Sequence, residues 1–264
     1  MCFDDHAHPP KLPPAMAGGA SDGEALTLEA SDGNRLRAYA ARPVGERDGA
    51  APSAGMVVIP DVRGLVPYFE ELALRFAEAG VPAVAIDLYC RTAGAAPRVS
   101  DFEYREHVAR ATRAGIAADV AAAVRHLRSE SMAGDAALFT VGFCFGGRAS
   151  FLQAAEGHGL AGVIGFYGFP TSPGPSDIPA PVGLVDRFES AVLALYGGAD
   201  QGIPPEAAET FDRALSAAGV DHESVTYPDA PHSFFDRHQE RFAAESDDAW
   251  RRILRFVASH GNGA

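Results

Sequence analysis

Positive charge and cysteine are both scarce in this sequence. Lys plus Arg number 22 against 35 Asp plus Glu, a formal net charge of −13 over 264 residues. The cations are scattered, with no footprint of the kind that neutralises phosphates, which argues against nucleic acid as a partner. An anionic membrane surface is disfavoured on the same ground. The three cysteines, Cys2, Cys90 and Cys144, are widely separated and odd in number. They give neither a disulfide framework nor a paired-cysteine metal site, and a reducing cytoplasm is the expected setting. No apolar run approaches the roughly 20 residues that a membrane span needs. Residues 1–23 lack a cationic stretch leading into an apolar one, so no signal peptide is expected. His6 and His8 have no further ligands at useful spacing, so neither a metal nor another cofactor is expected.

What is present is apolar and patterned. Hydrophobic residues make up 47% of the chain, enough for a sizeable core at a length that single α/β domains often reach. Residues 1–23 are rich in Pro, Gly, Ala and Asp without a period and read as an extended tail. Residues 24–264 read as one domain. Two alternating runs flank Ser31-Asp32-Gly33-Asn34, which predicts a hairpin. "AGMVVIP" (Ala54–Pro60), "VPAVAIDLY", "DAALFTVGF", "LAGVIGFYG" and "SAVLALYGGAD" are short continuous apolar runs, the mark of strands buried on both faces. Between them lie helical patterns: "YFEELALRFAEAG", closed by Gly80, then "AGIAADVAAAVRHLRSE" and "PPEAAETFDRALSAAG". "HESVTYPDA" adds a strand and "DDAWRRILRFVASH" a closing helix. Such alternation predicts a mostly parallel central sheet with helices on both faces. Cys90 to Arg113, weakly periodic, could form a lid or a pocket wall.

One stretch carries chemistry. In "ALFTVGFCFGGRASFLQAA" (Ala137–Ala155) an apolar run ends in G-x-C-x-G-G and a helical pattern follows. A nucleophile at such a strand-to-helix corner is held in a strained conformation over the sheet edge. Its neighbours must be tiny because their backbones cross closely, which explains Gly142 and Gly146. The N–H of Phe145, the next residue, then lies at a helix N-terminus where it can stabilise an oxyanion. Cys144 needs a base and an orienting acid, and this fold supplies them in the order nucleophile, acid, base. Asp200 closes the apolar run "AVLALYGGAD", and His232 lies within "VTYPDAPHSFF", each just past a strand. Asp186 and Asp229 are rival acids, and the other histidines fall in helices, surface loops or a charged stretch.

The segments "GFCFGG", "GGADQGIP" and "APHSFF", with "IPDVRG" and "IDLYCRT" upstream, resemble the dienelactone hydrolase family of α/β hydrolases, from about Ala54 onward. The resemblance implies an α/β-hydrolase fold and a Cys144–Asp200–His232 triad. It also implies an oxyanion hole made by the backbone N–H groups of Val62 and Phe145. Asp61 stands where well-studied members carry a glutamate that modulates the resting thiol. In the family, arginines grip an anionic substrate. Arg105 is a rough match for one, whereas Asp236 fills the slot of the other, with Arg237 one residue on. Arg63, beside the expected oxyanion hole, and Tyr68 complete the expected substrate contacts.

Cysteine itself constrains the substrate. A free thiol has a pKa near 8.5, so only a few per cent is thiolate at neutral pH until a base takes its proton. A tetrahedral intermediate on sulfur can expel thiolate or the leaving oxygen, and an ordinary alkoxide is the poorer leaving group. Activated esters and lactones are therefore the expected substrates, cleaved through an acyl-enzyme. Thioester hydrolysis, acyl transfer to an acceptor other than water, and a non-hydrolytic or redox-sensing binder stay open as alternatives. The expected partner is a small molecule, and the expected assembly a monomer or small homo-oligomer.

Overall fold

The computed structural model describes residues 6–45, 53–99 and 101–261, and Cys2 lies outside them. The hairpin forms as its pattern predicts: β1 (Ala20–Glu29) pairs antiparallel with β2 (Arg35–Val44) around Gly33, whose φ of 82° suits glycine. The first four residues of β1, Ala20–Gly23, lie within the stretch read as tail. β3 (Ala54–Ile59) is buried at every position and leads to α1 (Pro67–Glu78), which ends before Gly80 at φ 88°. β4 (Ala83–Ile86) follows.

The weakly periodic stretch after it folds as two short helices, α2 (Cys90–Ala93) and α3 (Tyr104–Arg110). α4 (Arg113–Leu127) is capped by Thr112, whose side chain accepts from Gly115 N–H at 3.1 Å. Then come β5 (Ala137–Phe143), α5 (Phe145–Gln153) and β6 (Gly162–Phe166). A 3-10 turn over Pro181–Arg187 precedes β7 (Ala191–Gly197). α6 (Pro205–Ala218), β8 (His222–Tyr227) and α7 (Ala243–Gly261) complete the order.

The strands form one sheet in the order β1-β2-β4-β3-β5-β6-β7-β8, parallel from β4 through β8 and antiparallel at the β1 and β2 edge. The central strands β3 to β7 are almost wholly buried, as their unbroken apolar runs require. All six parallel strands therefore present their carboxyl ends along one edge, where loops can hold reactive groups. No helix among the described residues is long and apolar enough to cross a membrane.

Part of the segment before β1 packs on the body. Pro9, Pro10, Leu12 and Pro13 are buried, and the indole of Trp250 on α7, itself fully buried, donates to Pro10 O at 3.1 Å. His8 Nδ1 lies 2.7 Å from Glu71 Oε2 on α1. Deleting the chain through Pro14 should lower the unfolding free energy by about 2–3 kcal/mol, the burial of a leucine plus a hydrogen bond. Urea unfolding measures the loss, and a red shift of Trp250 emission, the chain's sole tryptophan, would report its new exposure to water.

Candidate active site

The corner between β5 and α5 has the geometry that its glycines predict. Cys144 is the N-cap of α5 with φ 54° and ψ −111°, a left-handed backbone that a side-chain-bearing residue adopts only where its surroundings impose it. Two hydrogen bonds pin it: Cys144 N–H donates to Phe166 O at 3.0 Å, and Arg148 N–H donates to Cys144 O at 3.2 Å. A Cβ on Gly142 would stand 1.9 Å from Gly146 O, and one on Gly146 would stand 2.1 Å from Pro60 O. Only glycine fits either position. Phe145 opens the helix, so its N–H has no intrahelical acceptor.

The facing wall comes from the turn after β3. Arg63 N–H donates to Asp61 Oδ1 at 2.9 Å and Gly64 N–H to Asp61 O at 3.1 Å. Val62 N–H takes part in neither bond of this turn. A Cβ on Gly146 would also stand 2.4 Å from Ile59 O, so the start of α5 lies against the end of β3 and the turn that follows it.

Asp200 follows β7 and His232 lies in the loop after β8, as their strand-end positions predict. His232 Nδ1 and Asp200 Oδ2 are 2.6 Å apart, with the carboxylate almost fully buried and the imidazole slightly exposed. The second oxygen of Asp200 accepts from Gly202 N–H at 2.8 Å, so the acid is fixed from both sides. Asp200 holds Nδ1, which leaves Nε2 as the imidazole nitrogen available for proton transfer. The rings of Tyr167 and Phe169 lie 4.7 and 6.0 Å from that of His232 and restrict its rotation. The rival acids Asp186 and Asp229 are exposed.

The expected substrate contacts fall in different places. Arg63 is 4% exposed and binds two buried carboxylates. Its Nε and Nη2 meet Asp61 Oδ2 at 3.1 and 2.9 Å, and Nη2 also pairs with Asp236. Burial works against the Arg63 charge, but Asp61 and then Asp236 outweigh it and hold the guanidinium's pKa above its ordinary value. Asp61 therefore spends both oxygens on Arg63. The Tyr68 hydroxyl donates to Phe235 O at 2.6 Å and its ring lies near the Arg63 guanidinium. Arg105 is exposed on α3. Arg237, half-buried, lines a cavity of about 910 Å³ with His8, Lys11, Glu71 and Asp236, away from Cys144 and His232.

Three neighbours of the site were not singled out from sequence: Tyr89, Tyr167 and Arg148. Arg148, four residues beyond Cys144 and 7% exposed, donates to Phe169 O and to Ser172 Oγ, each at 3.3 Å. Among the described residues no carboxylate pairs with it. Burial lowers its pKa and a Cys144 thiolate would raise it, so this cation favours the thiolate in turn. Four-residue spacing from the nucleophile on a helix was the available signal.

Comparison with known proteins agrees with this architecture. Residues 36–261 match the sequence profile of the dienelactone hydrolase family. A Salmonella typhimurium protein assigned as a carboxymethylenebutenolidase is 33% identical over 242 residues, 89% of this chain and 87% of that one. A Bradyrhizobium protein assigned as a 2-oxo-3-(5-oxofuran-2-ylidene)propanoate lactonase is 28% identical over 239 residues, 87% of this chain and 92% of that one. The crystal structure of a protein from Klebsiella pneumoniae, assigned as a dienelactone hydrolase, superposes with a TM-score of 0.79. It shares 27% identity, over 90% of this chain and 99% of that one.

Replacing Arg63 by Met should destabilise the fold by about 3–5 kcal/mol, because two buried carboxylates would lose their counter-charge. Urea unfolding gives the value. Adding Asp61→Asn and Asp236→Asn to the same protein should restore most of it, and failure to do so would show that the loss is not electrostatic.

Proposed function

Given that the chain belongs to the dienelactone hydrolase family and has its α/β-hydrolase fold, we propose that Cys144, His232 and Asp200 carry out ester hydrolysis through an acyl-enzyme. The observation that carries this reading is the pairing of a strained cysteine at the β5–α5 corner with an Asp200-held imidazole from the same sheet edge. The family acts on carboxylic esters, and a small-molecule ester or lactone is the substrate class.

His232 Nε2 takes the thiol proton as Cys144 sulfur attacks the acyl carbon. The carbonyl electron pair moves onto oxygen, where the Val62 and Phe145 N–H groups receive it. Collapse expels the leaving oxygen, which picks up the proton from His232. Water, deprotonated by the same imidazole, then attacks the thioester and releases the acid and the thiol. Asp200 keeps the tautomer and orientation of His232 and offsets its transient charge.

Sulfur selects the leaving group. An enolate, as released on opening an enol lactone, competes well with thiolate in the collapse of the intermediate, whereas a simple alkoxide does not. The lactone named for the Bradyrhizobium relative is of this activated kind, and we place enol lactones and aryl esters first among candidate substrates. Arg148, the buried cation without a carboxylate partner among the described residues, supports the reading by favouring thiolate at Cys144.

The second described cysteine is of a different kind. Burial pushes the Cys90 thiol up to about 11, and nearby Asp87 adds to the shift. At pH 8, iodoacetamide should therefore modify Cys144 at least about tenfold faster than Cys90 by peptide mapping, with loss of hydrolysis tracking Cys144. Cys144→Ala should abolish turnover of an aryl ester, and mass spectrometry of the quenched wild type should find the acyl group on the Cys144 peptide. Full activity in Cys144→Ala would sink the assignment.

A further inference from the structure

Tyr89 follows β4 in the segment that leads into α2, and it is 1% exposed. Its N–H donates to Asp87 Oδ1 at 2.7 Å. Its ring is boxed in by Phe102 and His107, with centroids at 5.8 and 6.2 Å, and by the turn at Gly64. A Cβ on Gly64 would lie 3.1 Å from Tyr89 Cδ2. The hydroxyl of this immobilised ring is buried and makes no hydrogen bond among the described residues. A buried hydroxyl left unpaired is costly, which calls for a reason.

Strand register supplies one. β3 and β4 are paired with Val58 opposite Ala85, and four residues on from these stand Val62 and Tyr89. β3 and β5 are paired with Ile59 opposite Gly142, and two residues on stand Asp61 and Cys144. Tyr89, the Val62 turn and Cys144 thus leave three adjacent strands at one level of the carboxyl edge. His232 comes from the opposite flank, in the loop after β8, where β6, β7 and β8 lie. A carbonyl under attack by Cys144 would have the imidazole on one side and the phenol on the other.

The local electrostatics keep the phenol protonated. Burial raises its pKa well above the ordinary value, and the charges of Asp61, Asp87 and a Cys144 thiolate add to the rise, with Arg98 opposing. Tyr89 is consequently an O–H donor, never a phenolate, throughout the working pH range.

We infer that Tyr89 is a further catalytic residue, whose hydroxyl donates a hydrogen bond to the substrate carbonyl oxygen as it becomes the oxyanion, beside the Val62 and Phe145 amides. This inference rests on the Cys144 acyl-enzyme reading. No bond to Tyr89 forms or breaks. The sulfur–carbon bond forms, the carbonyl pair moves to oxygen, the thiol proton sits on His232, and the phenol keeps its own proton while its hydrogen bond shortens. The donor is unpaired before reaction and paired in the transition state, so its contribution is to rate rather than to binding.

Tyr196 provides an internal control. It lies in the interior strand β7, is 1% exposed, and its hydroxyl is likewise unpaired among the described residues, yet the one charge acting on it is Asp212 on α6. The test compares Tyr89→Phe, Tyr196→Phe and Cys144→Ala with the wild type, using an aryl ester and reading the acylation burst, kcat, KM and Tm. Tyr89→Phe should slow acylation by about 10- to 100-fold with KM unchanged, the range for losing an oxyanion donor. Its Tm should stay equal to or above that of the wild type, because an unpaired buried hydroxyl is gone. Tyr196→Phe should keep wild-type kinetics and share that thermal behaviour. Acylation by Tyr89→Phe within twofold of wild type, a change in KM alone, or a fall in Tm alongside lost activity would overturn the inference. If Cys144→Ala is inactive in that same comparison, the acyl-enzyme reading stands without Tyr89. An active Cys144→Ala would remove both.

Discussion

Everything at the sheet edge depends on one close approach, that of Gly146 at the start of α5 to the carbonyl of Pro60 after β3. A Cβ there would stand 2.1 Å from that oxygen, so helix and turn would have to move apart. With hydrogen in that place, helix and turn close on each other, and the cysteine between strand and helix has nowhere to relax. The strain at Cys144 and the position of the Phe145 amide are one geometric fact seen from two residues.

Around this corner the charges are settled in two separate ways. On the β3 side Arg63 is consumed by Asp61 and Asp236, a cluster that joins the turn after β3 to the loop carrying His232. Its value is positional: desolvating three charges gains little net stability, but it fixes two functional loops to each other. On the β6 side Arg148 is left without an anion among the described residues, four positions from the sulfur. The asymmetry favours a negative charge on the nucleophile and gives none of that favour to the neighbouring turn.

Much of this was legible in the sequence because it is local. Buried parallel strands announce themselves as unbroken apolar runs, and a strained corner announces itself through the glycines that its crossings demand. Asp200 and His232 were readable because each follows a strand by only a few residues, and connectivity alone sends them to the same edge. What escaped was pairing across long separations. Arg63 and Asp236 are 173 residues apart, and nothing in "DVRG" says that its arginine faces inward to two carboxylates rather than outward to a ligand. Tyr68 was expected at the substrate, yet its hydroxyl is taken by Phe235 O, a contact over 167 residues. Tyr89 was overlooked for a related reason: whether a phenol is satisfied is decided by the packing of neighbours from four different segments. The lid stretch was the least readable, since helices of four and seven residues are too short to impose a period.

The bond between Trp250 and Pro10 spans 240 positions, and it has a bearing on biogenesis. Strand β5 and the cysteine corner emerge from the ribosome well ahead of β8 and the loop bearing His232. Cys144 is thus made several seconds before His232 at ordinary elongation speeds. The sheet's edge strand and α7 must both arrive before the early proline segment finds its indole.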